Sequence, residues 1–202
     1  MHHETTEDAL VSDSRDRRPG RWEETHQRIL ATAMGLFQEH GFEQVTVGQI
    51  AAGAEVSVPT FYAHYPSKEH LVMQLPTAEQ MQALLAGQPV ELSVADRIRR
   101  AMPQWFASWG PEYREALLER WKIIAATPAL RMRAAEFERT TAAMIAAAMP
   151  AEAGETLPPG DQVVVSAYLS AFTLGMLAWA DGNGRQKLEE AIDEAFDALQ
   201  RH

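Results

Sequence analysis

The chain has 202 residues, 46% hydrophobic and 23% charged, a composition that suits a globular protein large enough to bury a core. It has no cysteine, which excludes disulfides, thiolate metal sites and cysteine nucleophiles, and we find neither an apolar run of membrane-spanning length nor a signal peptide, so we expect a cytoplasmic protein. The net charge of −10 argues against a general nucleic-acid coat and against binding to an anionic membrane, although a few well-placed cations can still contact DNA phosphates.

Residues 1–20 are polar and show no apolar period, which predicts a disordered N-terminal arm. Its arginines fit a solvated tail better than the alternative, an arm that touches the DNA backbone or minor groove. Residues 1–75 carry six Lys and Arg against eleven Asp and Glu, a formal charge of −5. This end of the chain is therefore acidic in spite of the arginines.

Residues 21–75 predict four helices. The first shows an apolar face at spacings of three and four and ends at Gly41, a typical C-terminal glycine. Two short helices follow, from Thr46 to about Ala54 and from Ser57 to about His64. A fourth is expected from Ser67 to about Leu75, before Pro76.

Residues 76–202 predict a second helical domain. After a linker at 87–89, helices are expected over 93–109, 111–126, 127–148 and 161–179. A last amphipathic helix carries residues 188–199. With no strand-period segment, the fold class is all-α with about nine helices, a three-helix N-terminal domain followed by a helical bundle.

The segment 45–64 has the local pattern of two helices joined by a tight turn. Thr46 and Gln49 form a capping box at the start of the first helix. Ser57 caps the second helix, and Pro59 lies in its first turn, where a missing amide costs little. Phe61 is predicted to point into the core. The side chains that then project elsewhere are Thr60, Tyr62 and His64. This pattern is that of a helix-turn-helix, whose second helix enters the major groove of DNA.

The amino-acid sequence of this segment is more specific than its helix-turn-helix pattern. It reads Phe42, then Val-Thr-Val, Gln-Ile-Ala, Val-Ser-Val, Thr-Phe-Tyr, His-Tyr, Ser-Lys-Glu and Leu-Val. This resembles the signature of the tetracycline-repressor (TetR) family over roughly residues 22–80. Beyond them the likeness is one of length and helical layout.

The resemblance implies DNA contacts at matching positions. Thr46 matches a backbone contact, and Lys68 matches a lysine that opens the fourth helix and grips a phosphate beside free helix amides. The full predicted set is Thr46, Gln49, Pro59, Thr60, Tyr62, His64 and Lys68. Two positions depart from the family pattern. Glu55 stands where the family has glycine in the turn, and Gly48 leaves a bare spot where some members place a longer polar contact.

The C-terminal domain holds four of the five tryptophans. The resemblance implies a ligand cavity among these helices, and the aromatic and methionine content favours an apolar or flat ligand. The candidates are Met102, Trp105, Phe106, Trp109, Trp121, Phe137, Met144, Phe172 and Met176. For any single one of them, an ordinary place in the hydrophobic core is the simpler interpretation.

The helix over 161–179 is apolar nearly all round and rich in small residues, so it needs a partner. With the last helix it resembles the family's dimer interface, a bundle of two helices from each subunit. The candidate interface residues are Ala171, Gly175, Ala178, Leu188, Ile192 and Phe196. A twofold dimer also suits a palindromic site.

The sequence lacks the parts of an enzyme: it has no glycine-rich phosphate loop, no Gly-x-Ser-x-Gly and no histidine pair with metal-ligand spacing on one helix. We therefore expect no cofactor and no metal. The leading hypothesis is a homodimeric repressor that a small ligand releases from a palindromic operator. The alternative is a helical ligand-binding or interaction module with weak or no DNA binding. An enzyme with an apolar helical cavity is a third, weaker hypothesis.

Overall fold

The computed structural model describes residues 9–74, 77–149 and 157–201. These ranges contain nine α-helices, one 3₁₀ turn and no strand, which confirms the predicted all-α class. The helices are α1 (Ala9–His40), α2 (Val47–Gly53), α3 (Val58–His64), α4 (Ala78–Ala86), α5 (Val94–Ala107), α6 (Pro111–Ala126), α7 (Pro128–Ala148), α8 (Pro159–Asp181) and α9 (Leu188–Gln200), with the 3₁₀ turn at Lys68–Leu71.

The chain divides into two compact units, Met1–Leu71 and Val72–His202. In the first unit, α1 and α2 approach so closely that a Cβ on Gly53 would lie 2.8 Å from Thr32 Cγ2. The fully buried side chains here include Ile29, Ile50 and Phe61, one from each helix. The small first unit is thus a three-helix cluster around a single core.

The helix α1 begins earlier than the sequence suggested. We expected a disordered arm over residues 1–20, but the backbone is helical from Ala9, while residues 1–8 lie outside the described part. The expectation rested on a missing apolar period, which does not exclude a helix. Once the packed part of α1 has formed, each further residue adds one hydrogen bond at low cost.

The region after α3 differs from the prediction. The helix expected at 67–75 is only the 3₁₀ turn Lys68–Leu71, and α4 (Ala78–Ala86) was missed. Thr77 and Gln80 form a second capping box that starts α4 directly after Pro76. Proline was taken as the end of a helix, whereas the cap that follows it begins one.

The helix α8 is the central element of the second unit, packed against α5, α6, α7 and α9. It is the one helix in the described ranges that is long and apolar enough to span a membrane, so the expectation of no such run was wrong. Core helices of helical bundles have the same composition. Val165, Tyr168 and Met176 are buried on its inward side, which accounts for much of the apolar character. Its first helical residue is Pro159, two residues before the start of the helix expected over 161–179.

Candidate nucleic-acid interface

The first helix of the motif, α2, begins at a reciprocal cap. Thr46 Oγ1 accepts a hydrogen bond from the Gln49 amide at 3.2 Å, and Gln49 Oε1 accepts from the Thr46 amide at 2.8 Å. Oε1 also accepts from the Thr46 hydroxyl at 2.9 Å. Both side chains remain exposed. This confirms the predicted capping box, which leaves the two groups anchored at one edge of the motif and open to solvent.

The second helix, α3, is capped in the same local manner. Ser57 Oγ accepts from the Thr60 amide at 3.1 Å and lies 2.7 Å from Thr60 Oγ1. Pro59 occupies the first turn, where its missing amide has no helical partner to lose. Phe61 is fully buried and ties α3 to the core of the first unit.

The turn between α2 and α3 carries backbone strain. Glu55, which stands where the family has glycine, adopts φ +54°, a left-handed conformation that glycine tolerates without steric cost. A non-glycine side chain there costs about 1 kcal/mol. Two contacts hold the turn in place: Arg28 Nε donates to the Ala54 carbonyl at 2.9 Å, and the Val56 amide donates to the Ala51 carbonyl at 2.9 Å.

The open face of α3 consists of Val58, Pro59, Tyr62 and Ala63. Tyr62 is 52% exposed and projects furthest among the aromatic residues predicted for DNA contact. The sequence reasoning did not select Val58 and Ala63, although their spacing from Pro59 and Tyr62 places them on the same helical face. This face offers an aromatic ring, a hydroxyl group and apolar surface, which suits contact with base edges and thymine methyl groups.

His64 lies at the edge of this face in a set of aromatic rings that we call the ring stack: Trp22, His26, His64 and Tyr65. The Trp22 ring centroid is 4.7 Å from that of His64 and 4.8 Å from that of His26. His26 in turn stacks on Tyr65 at 4.2 Å, and the Tyr65 hydroxyl donates to the His26 carbonyl. The Nδ1 atoms of both histidines are buried and have no hydrogen-bond partner. The stack joins α1 to the end of α3 and holds the His64 ring in place.

The surroundings of His26 in the ring stack favour its neutral form. Burial lowers the pKa of His26 below its ordinary value, Glu23 opposes the shift, and His64 adds to it. Trp22 and His26 lie at the three-and-four spacing from which one packed face of α1 was predicted. Its stacking against α3 had no local signal in the sequence, since it joins residues about 40 positions apart.

Lys68 is held within the first unit. Its Nζ donates to the carbonyls of Phe42 and Val45 at 2.7 and 2.8 Å and lies 4.2 Å from the centroid of the Phe42 ring. The pKa of Lys68 lies below its ordinary value because burial lowers it. The nearby carboxylates of Glu69 and Glu43 oppose this shift only in part. Because the chain forms a 3₁₀ turn here, the expected α-helix N-terminus with its free amides is missing. Lys68 secures the α1–α2 loop, and one of its three N–H groups is left for other contacts.

The ligand candidates of the second unit fall into three groups. Trp105, Phe106, Trp109 and Phe172 lie together with Tyr113, which was not predicted, and neighbouring ring centroids are 4.9–6.5 Å apart. We call these five residues the aromatic cluster. Met102, Trp121 and Met176 belong to or pack on the hydrophobic core of this unit. Phe137 and Met144 are half-buried on α7.

Five of the six dimer candidates are buried within one chain. Ala171, Gly175, Leu188, Ile192 and Phe196 all have little exposed surface, and only Ala178 is exposed. Gly175 permits the close packing of α8 on α9, since a Cβ there would lie 2.8 Å from Ile192 Cδ1. The apolar face of α9 therefore packs against its own α8, and these five residues have little surface to offer a second chain.

Two family models match the chain. The model of bacterial regulatory proteins of the TetR family matches residues 29–75, and the model of the MftR C-terminal domain matches residues 92–202. The first match covers the whole capped motif. The second covers more than half of the chain.

Similar curated proteins are also regulators. The chain is 34% identical to the HTH-type transcriptional regulator EthR of Mycolicibacterium smegmatis over 126 residues, covering 50% of this chain and 57% of that protein. It is 38% identical over 74 residues to EthR of Mycobacterium tuberculosis, covering 37% of this chain and 34% of that protein. The match thus spans little more than half of these relatives at most.

Among solved structures, native NalD of Pseudomonas aeruginosa, the secondary repressor of the MexAB-OprM multidrug efflux pump, has a TM-score of 0.53 at 24% identity. The match covers 89% of this chain and 96% of NalD. At this identity the likeness concerns the fold, and it extends over both units of the chain.

Proposed function

Because this chain belongs to the TetR family of bacterial regulatory proteins, with a C-terminal domain of the MftR type, we propose that it is a sequence-specific transcriptional repressor. In this proposal a small molecule bound by the second unit releases the protein from its operator. The family consists of regulators and not enzymes. We place the protein in the cytoplasm, where its DNA target is.

The observation that carries the proposal is the pair of capped helices α2 and α3 with an open outer face. Caps at Thr46 and Ser57 fix where both helices begin, and Phe61 anchors α3 from the inside. A rigid seven-residue helix that presents Tyr62 outward can enter the major groove, which is about 12 Å wide.

We assign two kinds of DNA contact to the predicted residues. Pro59, Thr60, Tyr62 and His64 lie on or beside the open face of α3 and are proposed to contact bases and nearby phosphates. Thr46 and Gln49 at the start of α2 are proposed to contact the backbone, as is the remaining N–H of Lys68. Backbone contacts position the motif, while the face of α3 supplies sequence preference.

The acidic first unit gives this interface a particular character. Residues 20–74 carry Arg21, Arg28 and Lys68 against six acidic residues. Few cations are available to displace counterions from DNA, so nonspecific affinity should be low and its salt dependence shallow. Base contacts then have to provide a large share of the binding.

We further propose a twofold dimer on a palindromic operator with half-sites about 34–36 Å apart. The face suited to dimerisation is the outward side of α8, where Val163, Leu174 and Ala178 project at helical spacing. Val163 is 68% exposed and Leu174 is 64% exposed. A stripe of exposed apolar side chains on a helix is costly in water and is stabilised by a second copy of the same helix.

The second unit is proposed to bind the effector, with the aromatic cluster as one wall of its site. A ligand that binds one arrangement of α5–α8 more tightly than another shifts the population between them. If these arrangements hold the two helix-turn-helix motifs of the dimer at different separations, only one arrangement matches the spacing of successive major grooves.

The test is selection of bound duplexes from a random DNA pool by the purified protein at physiological salt. Enrichment of a palindrome, absent when Tyr62→Ala protein is used, is the expected result. A folded dimer that enriches no sequence would contradict the proposal. That outcome would favour a ligand-binding module without DNA affinity, the alternative motivated by the acidic first unit and by strained Glu55.

A further inference from the structure

The second unit contains a buried arginine without a partner. Arg97 on α5 is only 4% exposed, and its Nε and Nη2 atoms lack both solvent contact and a hydrogen-bond partner. These two nitrogens are therefore kept from water, whereas most long cationic side chains extend their charged ends into it. A buried charge without a counter-charge is among the costliest arrangements in a protein.

The other arginines of this unit that could be compared are paired. Arg120, the second arginine that is almost fully buried, donates to Gln74 Oε1 and lies over the Tyr113 ring at 5.5 Å. Arg99 pairs with Asp197, and Arg114 pairs with Glu189. Arg120 Nε is also buried without a hydrogen-bond partner, but another nitrogen of that guanidinium is bonded. Arg97 differs in that two of its nitrogens, Nε and Nη2, are buried without a partner.

The buried neighbours of Arg97 along α5 are apolar. Val94, Ile98 and Ala101 lie within one helical turn of it and belong to the hydrophobic core of the second unit. Further along α5, Trp105 packs on the same core and belongs to the aromatic cluster. In a helix, positions 97, 101 and 105 follow one another along one face, so the charge and the aromatic cluster share a side of α5.

The two unpartnered nitrogens define the chemistry of a ligand. Nε–H and Nη2–H point outward from one edge of the planar guanidinium, with the spacing of the two oxygens of a carboxylate. A neutral acceptor would satisfy the hydrogen bonds but would leave the charge uncompensated. An anionic oxygen group does both.

We propose that Arg97 is the anchor for the anionic group of the effector, and that the effector is an apolar carboxylic acid whose body packs on the aromatic cluster. This rests on the effector site proposed for the second unit. The proposal also explains why an uncompensated arginine persists there: the ligand is its counter-charge.

The test uses the full-length protein and matched pairs of probes, 2-naphthoate with 2-naphthamide and octanoate with octanamide. We expect at least one acid to raise the midpoint of thermal unfolding and to bind at least about tenfold more tightly than its amide, about 1.4 kcal/mol. Arg97→Gln and Arg97→Met should lose this preference. Arg100→Met, which removes an exposed arginine from the same helix, should retain it.

The unfolding midpoint of the protein without ligand provides a second test, which does not depend on the choice of probe. If Arg97 serves a ligand, Arg97→Met removes an uncompensated charge, and the unfolding midpoint should stay constant or rise. A purely structural arginine would give a lower midpoint in the Met variant. That result, or the absence of any preference for acid over amide, would overturn the inference.

The outcome can be separated from that of the repressor proposal. Release of a selected duplex by an amide as readily as by its acid would leave the repressor proposal standing and refute the anionic effector. Acid binding that depends on Arg97, in a protein that enriches no duplex, would support the anionic site and refute the repressor.

Discussion

The two units differ in where their informative residues lie. In the first unit, the candidate DNA contacts at the starts of α2 and α3 are positioned by hydrogen bonds between residues three apart. His64 and Lys68 are instead held by contacts with distant residues of the same unit. In the second unit, the candidate residues lie inside a bundle whose contacts join distant segments, such as Gly175 with Ile192. Local chemistry therefore sets where the two helices of the motif begin, whereas the second unit, like His64 and Lys68, depends on tertiary packing.

The sharpest test of this difference is the core assignment of α9. Phe196→Ala removes a fully buried aromatic ring and should lower the free energy of unfolding by about 3–5 kcal/mol. Denaturant titration measures this loss. The surviving folded protein should still be dimeric by analytical ultracentrifugation.

The contrasting variant is Leu174→Glu on the outward side of α8. It should weaken the dimer and leave the folded subunit close to parental stability, because the residue is exposed within one chain. A Phe196→Ala protein that is fully stable but monomeric would show that α9 forms the interface, contrary to our assignment.

Tyr62→Ala tests the surface assignment of the first unit. The loss of an exposed aromatic contact should weaken specific DNA binding by ~1–3 kcal/mol while the dimer and the unfolding midpoint stay unchanged. Fluorescence anisotropy with the selected duplex measures the affinity. Met132→Ala, at an exposed residue of the second unit outside the aromatic cluster, is the control and should bind the duplex as the parent does. Equal binding by both variants would mean that α3 does not dock as proposed.

Glu55→Gly tests whether the turn is strained. Glycine adopts φ +54° without steric cost, so relief of strain should stabilise the variant by about 1 kcal/mol. The greater conformational entropy of glycine in the unfolded chain offsets part of this gain. It should also bind DNA more tightly at low salt, because it removes a negative charge from the turn. Glu43→Gln removes an equal charge from the α1–α2 loop without changing the turn, and only the electrostatic part of the effect should appear. A less stable Glu55→Gly protein would contradict the strain.

The smallest expected effect concerns the ring stack. Because burial lowers the pKa of His26 in the folded protein, the unfolded chain binds more protons in the window below about pH 6.5. The stabilising contribution of neutral His26 is therefore complete above that pH and is lost as the pH falls towards the lowered value. Thermal unfolding between pH 5 and pH 8 should show this decline, and His26→Phe, which keeps a ring in the stack, should flatten it. An identical pH profile in the variant would exclude His26 as the source.

The resemblance to a known family and the caps carried most of what could be predicted. The capping box of Thr46 with Gln49 and the cap at Ser57 were predicted from spacing alone, since a cap depends on atoms of adjacent turns. The left-handed turn at Glu55 followed from comparison with the family's glycine. The helix α4 was missed even though Thr77 and Gln80 repeat the pattern of Thr46 and Gln49, because Pro76 was given more weight than the cap.

The sequence by itself determined the all-helical class, the position of the two-helix motif and the family. Only the tertiary structure decided that Lys68 bonds to the Phe42 and Val45 carbonyls, that His64 stacks on Trp22, that α9 is buried on its own α8, and that Arg97 has no partner. The physical reason is the distance along the chain over which each kind of contact acts. Caps and turns are completed within a few residues, whereas burial and pairing depend on which distant segments meet, and hydrophobic pattern alone does not distinguish a face packed within one chain from a face that awaits a partner.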